Sequence, residues 1–373
     1  MKFSEYLTEV DWEGDFSDTK KSCISADMMA QELNDELARI NTSTKDRKSR
    51  SPNAPIYTRG TIDKVIDKKG KLDVKKFIKL ISEPPSKIFD QNPKMVKTDK
   101  GKAQLTVNTG LPAIIGVIYD KEEKQFYKIN TCPGAGPCKI LCYARKGFYG
   151  MNDGKALKLI RRLNLLMNDP NEYYNMIMDE LEPTVVKLKR QGRRSGDNNQ
   201  LVIRWNDAGD FFSQVYFNIA KRVTKELLDD GYNVKSYAYT KVGKYVNMAD
   251  ENFLINFSQG DASKKEEAKV DLEKTKKSII VKKDTFNDIF VKKGSHFVKN
   301  QHGLPTFVEN GATTLKRRIA AQYKVPVSTL KLQTELPAKE GAKHAYNVIV
   351  MPTGDTDIGA QRKDVQTTFL LAH

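Results

Sequence analysis

The middle of this chain alternates strand-like and helix-like runs, and that rhythm limits the fold more than any other feature. "QLVIRWNDAGDFF" (200–212) reads as a strand entering a turn, and "SQVYFNIAKRVTKELLDDG" (213–231) as a helix closed by Gly231. "YNVKSYAYTKV" (232–242) is a second strand and "NFLINFSQGD" (252–261) a third after a short spacer. Upstream, "LPAIIGVIYD" and "KQFYKINT" flank the charged turn "KEEK". A helical stretch at 154–192 then divides near Asp169 and Pro170. Strand, loop, helix and strand recurring in this way predict an α/β fold with a parallel sheet or barrel. "KSIIVKKDTFNDIF" and "AYNVIVMPTGDTD" supply further strand candidates, and "DASKKEEAKVDLEKTKK" reads as a charged surface helix.

The first hundred residues differ in character. "SADMMAQELNDELARI" sets Met28, Met29, Leu33, Leu37 and Ile40 at helical spacing, with Ser25 as its N-cap. "NTSTKDRKSRSPNAP" reads as an exposed linker. Residues 57–102 are dense in lysine, with Val74, Phe77, Ile78 and Ile81 forming one apolar face. The expected division is a basic, mainly helical N-terminal extension over residues 1–104 and an α/β barrel-like core over 105–373.

Three of the four cysteines fall within eleven residues, in the loop "NTCPGAGPCKILCYARKG". Their spacing is Cys132-x5-Cys138-x3-Cys142. Gly and Pro allow the tight turns that bring three thiolates to one centre. A structural zinc takes four protein ligands, so zinc here would recruit a distant histidine such as His296 or His302. Three thiolates on a 4Fe–4S cluster leave one iron open. Iron–sulfur cluster, zinc and unligated thiols are all open at this point, with the cluster leading. The loop is expected at the C-terminal end of the first strand of the alternating region, where open α/β sheets bind ligands.

Later strand ends carry polar groups toward the same region. Asp207, Gly209 and Asp210 follow one strand, Thr240 and Lys241 the next, and Asn256, Ser258 and Asp261 a third. Asp207, Asp210 and Lys241 are the catalytic candidates; Gly209, Asp210, Thr240, Asn256 and Ser258 are the cofactor-binding candidates. An equally open reading has Asp210 or Ser213 capping the next helix. Phe148 and Tyr149, just past the cysteines, are aromatics placed to stack on a ring or to join the core. In "PTGDTDIGAQRKD", expected to follow the last strand, Asp355, Asp357, Arg362 and Asp364 make either a polar site or a salt-bridged loop.

Net charge is +16, from 63 Lys and Arg against 47 Asp and Glu. That balance makes nucleic acid, DNA first, the expected partner, with a solvated lysine-rich surface as the plain alternative. No apolar run reaches the roughly 18 residues a membrane span needs. The N-terminus "MKFSEYLTEVDWEGDF" has no signal-peptide core, and the clustered thiols do not resemble a disulfide framework. A cytoplasmic protein with reduced thiols is expected, in the host cytoplasm if the chain is phage-encoded.

In this order, "TCPGAGPCKILCYARKGFY", "IRWNDAGDFFS" and "YAYTK" resemble a bacteriophage family labelled gene product 88-like, over roughly residues 105–260. More distantly, the layout is similar to radical S-adenosylmethionine (SAM) enzymes, which are partial (β/α)6 barrels. That resemblance implies Cys132, Cys138 and Cys142 as 4Fe–4S ligands, Gly209 and Asp210 at the SAM amino group, and Ser258 near its ribose. Lys241 has no firm counterpart there. The cysteine spacing departs from the Cys-x3-Cys-x2-Cys of that superfamily, and Ala208-Gly209-Asp210 replaces its Gly-Gly-Glu turn. "NDAGDFFSQ" faintly resembles a turn of the guanine transglycosylases, which would make Asp207 or Asp210 a nucleophile acting on a DNA base. Those enzymes place zinc-binding cysteines late in the chain, and here none follows Cys142. A non-catalytic, zinc- or cluster-stabilised nucleic-acid-binding protein is the third reading.

Overall fold

A computed structural model describes residues 16, 19, 21–42, 51, 53–145, 152–281, 297–299, 305–307, 311–350 and 357–371. The strands in chain order are β1 (Lys21–Ile24), β2 (Gln104–Asn108), β3 (Ile115–Asp120), β4 (Gln125–Asn130), β5 (Gln200–Trp205), β6 (Val234–Thr240) and β7 (Phe253–Gln259). They continue with β8 (Lys277–Val281), β9 (Phe297–Lys299), β10 (Pro305–Phe307), β11 (Leu330–Leu332), β12 (Tyr346–Val350) and β13 (Val365–Leu371). The helices are α1 (Ala26–Asn41), α2 (Arg59–Val65), α3 (Val74–Ser82), α4 (Pro93–Asp99), α5 (Cys138–Leu141) and α6 (Asp153–Asn168). After these come α7 (Pro170–Ser195), α8 (Gln214–Asp229), α9 (Gly243–Val246), α10 (Lys264–Glu267) and α11 (Gly311–Tyr323).

Eight strands form one open sheet in the order β11-β12-β13-β8-β7-β6-β5-β2, and every pairing is parallel. From β2 to β8 the spatial neighbours follow chain order, as in a singly wound barrel. The sheet does not close, because β2 and β11 are its two edges. The expected barrel is thus realised only as an open α/β sheet flanked by helices.

Alternation along the strands splits the sheet into two chemically distinct faces. Leu201, Ile203, Trp205, Ala238, Phe253, Ile255 and Phe257 share a core with α7 and α8. In α8, Val215, Ile219, Ala220, Val223 and Leu227 follow helical spacing and are all buried against that face. The opposite face carries Asn108, Arg204, Tyr237, Tyr239 and Asn256. These residues are brought side by side by the register Asn108↔Arg204↔Tyr237 and Tyr239↔Asn256. Both faces are covered, as parallel strands require.

Four expectations are corrected here. The cysteine loop does not follow a strand of the parallel sheet: it follows β4, which pairs antiparallel with β1 and β3. The turn joining β3 to β4 is too short for a parallel crossover, so these two apolar runs form a hairpin. The first parallel strand is β2, whose "QLTVN" crosses the expected boundary between 104 and 105 and is not among the strand candidates. The segment "PTGDTDIGAQRKD" does not come after the last strand, because β13 follows it and lies between β8 and β12. The charged run expected as a surface helix is helical only over Lys264–Glu267.

Other elements match their sequence signals. Ser25 caps α1 by accepting the Met28 N–H at 3.2 Å, and Asp169 ends α6 and caps α7. Met29, Leu33, Tyr57, Phe77 and Ile81 pack with Val117, Phe126 and Ile160 in one cluster, so the residues before 105 share a core with residues after it. Among the described residues no helix is long and apolar enough to cross a membrane.

Candidate functional site

The cysteine loop reaches the parallel sheet by backbone pairing. Gly136 N–H donates to the Asp261 carbonyl at 2.9 Å, and Ser263 N–H donates to the Gly134 carbonyl at 2.8 Å. These bonds lay the loop across the C-terminal ends of β6 and β7. The approach is so close that a Cβ on Gly134 would sit 2.2 Å from the Lys241 carbonyl oxygen, and one on Gly136 2.5 Å from that of Ala262. Only glycine fits at either place, which explains the "PGAGP" of the loop.

Under the loop, the turn after β5 is strapped to the end of β6. One oxygen of Asp210 accepts the Thr240 hydroxyl at 2.6 Å and the Phe211 N–H at 2.8 Å. The other accepts the Lys241 N–H at 2.8 Å. Gly209 makes this turn at φ +77. Ser213, not Asp210, caps α8, accepting the Tyr216 N–H at 3.2 Å. Burial pushes the Asp210 carboxyl up, against the lowering pull of Lys241 and these donors.

Lys241 is the cation of the site. Burial works against its charge, but Cys138, Asp210, Cys132 and Asp261 together hold its pKa above the usual lysine value. Its ammonium makes no hydrogen bond or ion pair within the described residues.

The three thiols differ in state. Cys132 is buried and its sulfur accepts the Ile114 N–H at 3.3 Å. Burial pushes its thiol up to about 12, opposed by Lys241. A hydrogen bond between the Cys138 and Cys142 sulfurs lowers Cys142 and raises Cys138 from the usual thiol value. Cys23 stands apart, exposed in β1. Among the described residues no three Cys, His, Asp or Glu side chains converge as a ready set for a single metal ion. His296, His302, Phe148, Tyr149 and Asp355 lie outside the described residues.

The structure therefore brings Cys132, Cys138, Cys142, Asp210, Thr240, Lys241 and Asp261 to one region. Asp207, Asn256 and Asp357 belong instead to a network on the polar face of the sheet. Asp207 accepts from Asn108 at 3.1 Å and lies 3.4 Å from Arg204. Asn256 donates to the Ala238 and Ala360 carbonyls at 3.3 and 3.2 Å. Ser258 lies near the end of β7 with its carbonyl taken by Ala262 N–H. Fully buried Asp357 receives Lys94 and Arg204, each at 2.9 Å, and Tyr237 at 2.7 Å. Arg362 and Asp364 pair at 2.7 Å in a salt-bridged loop.

Sequence reasoning missed Lys94, Arg204 and Tyr237, although polar residues alternating within an otherwise apolar strand signal a second buried face. It also missed Asn206. This residue follows β5 at φ +60, and among the described residues neither side-chain amide atom has a partner although the residue is buried. An asparagine directly after a strand is the available clue, since Asn tolerates the left-handed region better than most residues.

Fold and site together define a parallel α/β protein with a cysteine-rich loop docked on its strand ends. The chain belongs to the gene product 88 family, whose model matches residues 86–322, more than half its length. That match agrees with the bacteriophage-family resemblance of the motifs. No curated protein and no solved structure matches the chain.

Proposed function

We propose that this protein is an iron–sulfur enzyme, resembling the radical SAM class, that works on or near nucleic acid in the cytoplasm of a phage-infected host. The observation that carries the reading is the docking of the Cys132–Cys138–Cys142 loop onto strand ends that also present Asp210 and Lys241. Two further features support it.

The first is donor chemistry. Cys132 accepts a backbone N–H and Cys142 another, from Ala144; hydrogen bonds to sulfur are among the means by which proteins tune iron–sulfur centres. Each cysteine of a cluster binds a separate iron, so the sulfurs need not converge as they would on one zinc ion. The second is charge. Thiolate ligands bring negative charge into a half-buried site, and the Lys241 ammonium is the cation placed to offset it.

When bound, a three-cysteine cluster supplies one-electron chemistry at an open iron. The chain's own groups hold and orient. An ionised carboxylate offers about four acceptor sites, and Asp210 spends three on Thr240, Lys241 and Phe211. The remaining acceptor site would take an ammonium such as the amino group of SAM, with Gly209 and Asp210 as its partners in this reading. The Lys241 ammonium is the matching partner for a carboxylate. Thr240 keeps Asp210 in place, and the loop screens the pair from water.

Anaerobic purification followed by iron, sulfide and zinc analysis tests the reading. Brown protein with iron and acid-labile sulfide is expected, and colourless protein with stoichiometric zinc would falsify it in favour of a zinc-stabilised binding protein. With the cluster present, reductant and SAM should yield 5′-deoxyadenosine; its absence would remove SAM and leave the cluster.

A further inference from the structure

Away from the cysteines, cations and carboxylates are out of balance. A groove of about 610 Å3 runs between residues 85–93 and the first half of α6, and Lys155, Lys158 and Arg161 line it. Spaced three residues apart on one helix, they form a cationic ladder about 9 Å long. Asp90 also lines the groove and is shared by four cations. Lys158 lies at 2.9 Å, Arg162 at 3.0 Å, Lys155 at 3.3 Å and Lys87 at 3.7 Å. Arg161 pairs with the exposed carboxylate of Glu83.

Among the described residues, the ion pairs of these five cations go to two carboxylates, Asp90 and Glu83. A third, Glu180, is spent on the backbone N–H groups of Ile88 and Phe89. Even counting it, positive charge is in surplus. Arg162 is fully buried behind the groove, where it donates to Asp90 and to the Lys87 carbonyl, so the cations that face the groove are Lys155, Lys158 and Arg161. Partly buried charge of one sign is costly unless an opposite charge joins it.

We propose that this groove binds a nucleic-acid strand through its backbone phosphates. Phosphate supplies the missing negative charge and several acceptor oxygens, which lysine and arginine bind well. A ladder of this length exceeds one phosphate group and suits successive phosphates of a single strand. The chain's net charge of +16 speeds the approach of any polyanion. The inference is independent of what the cysteines hold.

The test is fluorescence anisotropy of the full-length protein with a labelled single-stranded DNA oligonucleotide across a salt series. Loss of two phosphate contacts in K158Q/R161Q should weaken binding at least tenfold at low salt. It should also flatten the slope of log K against log salt by about 1.4. D90N should act in the opposite sense and tighten binding several-fold, because it releases Lys155 and Lys158, which line the groove, from their internal acceptor. Circular dichroism and thermal melting check the fold of each variant; should the double variant fail to fold, R161Q alone and D90N carry the comparison. Unchanged affinity and slope in the folded lysine–arginine variant would overturn the proposal, as would weaker binding by D90N. Competition by inorganic phosphate at concentrations as low as those of unlabelled oligonucleotide would also overturn it, by showing a single-anion site.

Discussion

Asp210 accepts the backbone N–H of Lys241 at 2.8 Å, so the turn after one strand is fastened to the end of its neighbour. Asp210 is fully buried, and its three donors come from two places: the Phe211 N–H of its own turn, and the Thr240 hydroxyl and Lys241 N–H at the end of β6. Replacing it with alanine leaves the Lys241 N–H and the Thr240 hydroxyl without their acceptor. A loss of about 3 kcal/mol is expected for Asp210→Ala, and about 1 kcal/mol for Thr240→Val, from the cost of buried unpaired donors. Urea denaturation measures both; equal, near-zero shifts would mean the strap carries no stability.

Gly134 and Gly136 hold the cysteine loop against backbone rather than against side chains. A methyl at either position meets a carbonyl oxygen at 2.2 or 2.5 Å, and a carbonyl cannot rotate away as a side chain could. Gly134→Ala and Gly136→Ala should therefore lift the loop, at about 1–3 kcal/mol each, and lower bound iron under anaerobic purification. The far-UV circular dichroism should stay that of the parent chain, since the sheet core lies elsewhere.

The cysteines should divide three to one. Cys132→Ser, Cys138→Ser and Cys142→Ser each remove a proposed ligand and should strip most iron and acid-labile sulfide. Cys23→Ser, at an exposed position in β1, should leave both unchanged. Full metal content in any one of the first three variants would remove that residue from the ligand set.

Asp357 ties stability to acid pH. Burial raises its pKa, but Arg204 and Lys94, with hydrogen bonds from Lys94 and Tyr237, overcome that and hold it at about 2, below its ordinary 3.8. A depressed carboxyl stabilises the fold above the unfolded pKa and loses that contribution as pH falls through the folded one. Between pH 4 and 2 the protein should thus lose about 2 kcal/mol from this group. Asp357→Asn should be less stable at neutral pH, because Lys94 and Arg204 lose their buried counter-charge, and its stability should fall less on acidification. Denaturant midpoints at neutral and acid pH give the comparison.

The strand running to Trp205 and the helix closed near Gly231 were legible because strand and helix signals depend only on neighbouring residues. So was the break at Asp169 and Pro170, where cap and ring act within one turn. β13 was not: "VQTTFLL" carries one strand's worth of signal, and nothing local says that it inserts between β8 and β12. The hairpin of β3 and β4 was visible as two strands, yet its separation from the parallel sheet depends on β1, more than a hundred residues away.

The sequence by itself determined the α/β class, the glycine-bearing cysteine loop and the polar strand ends, because periodicity, turn chemistry and thiol spacing are properties of neighbouring residues. Tertiary structure alone decided that Lys241 lies among Cys132, Cys138, Asp210 and Asp261. It also decided that Asp207 and Asp357 turn to the opposite network, and that Asp90 serves four cations. Those groupings join residues far apart in the chain, and their charges act through space across strand ends that only the folded sheet brings side by side.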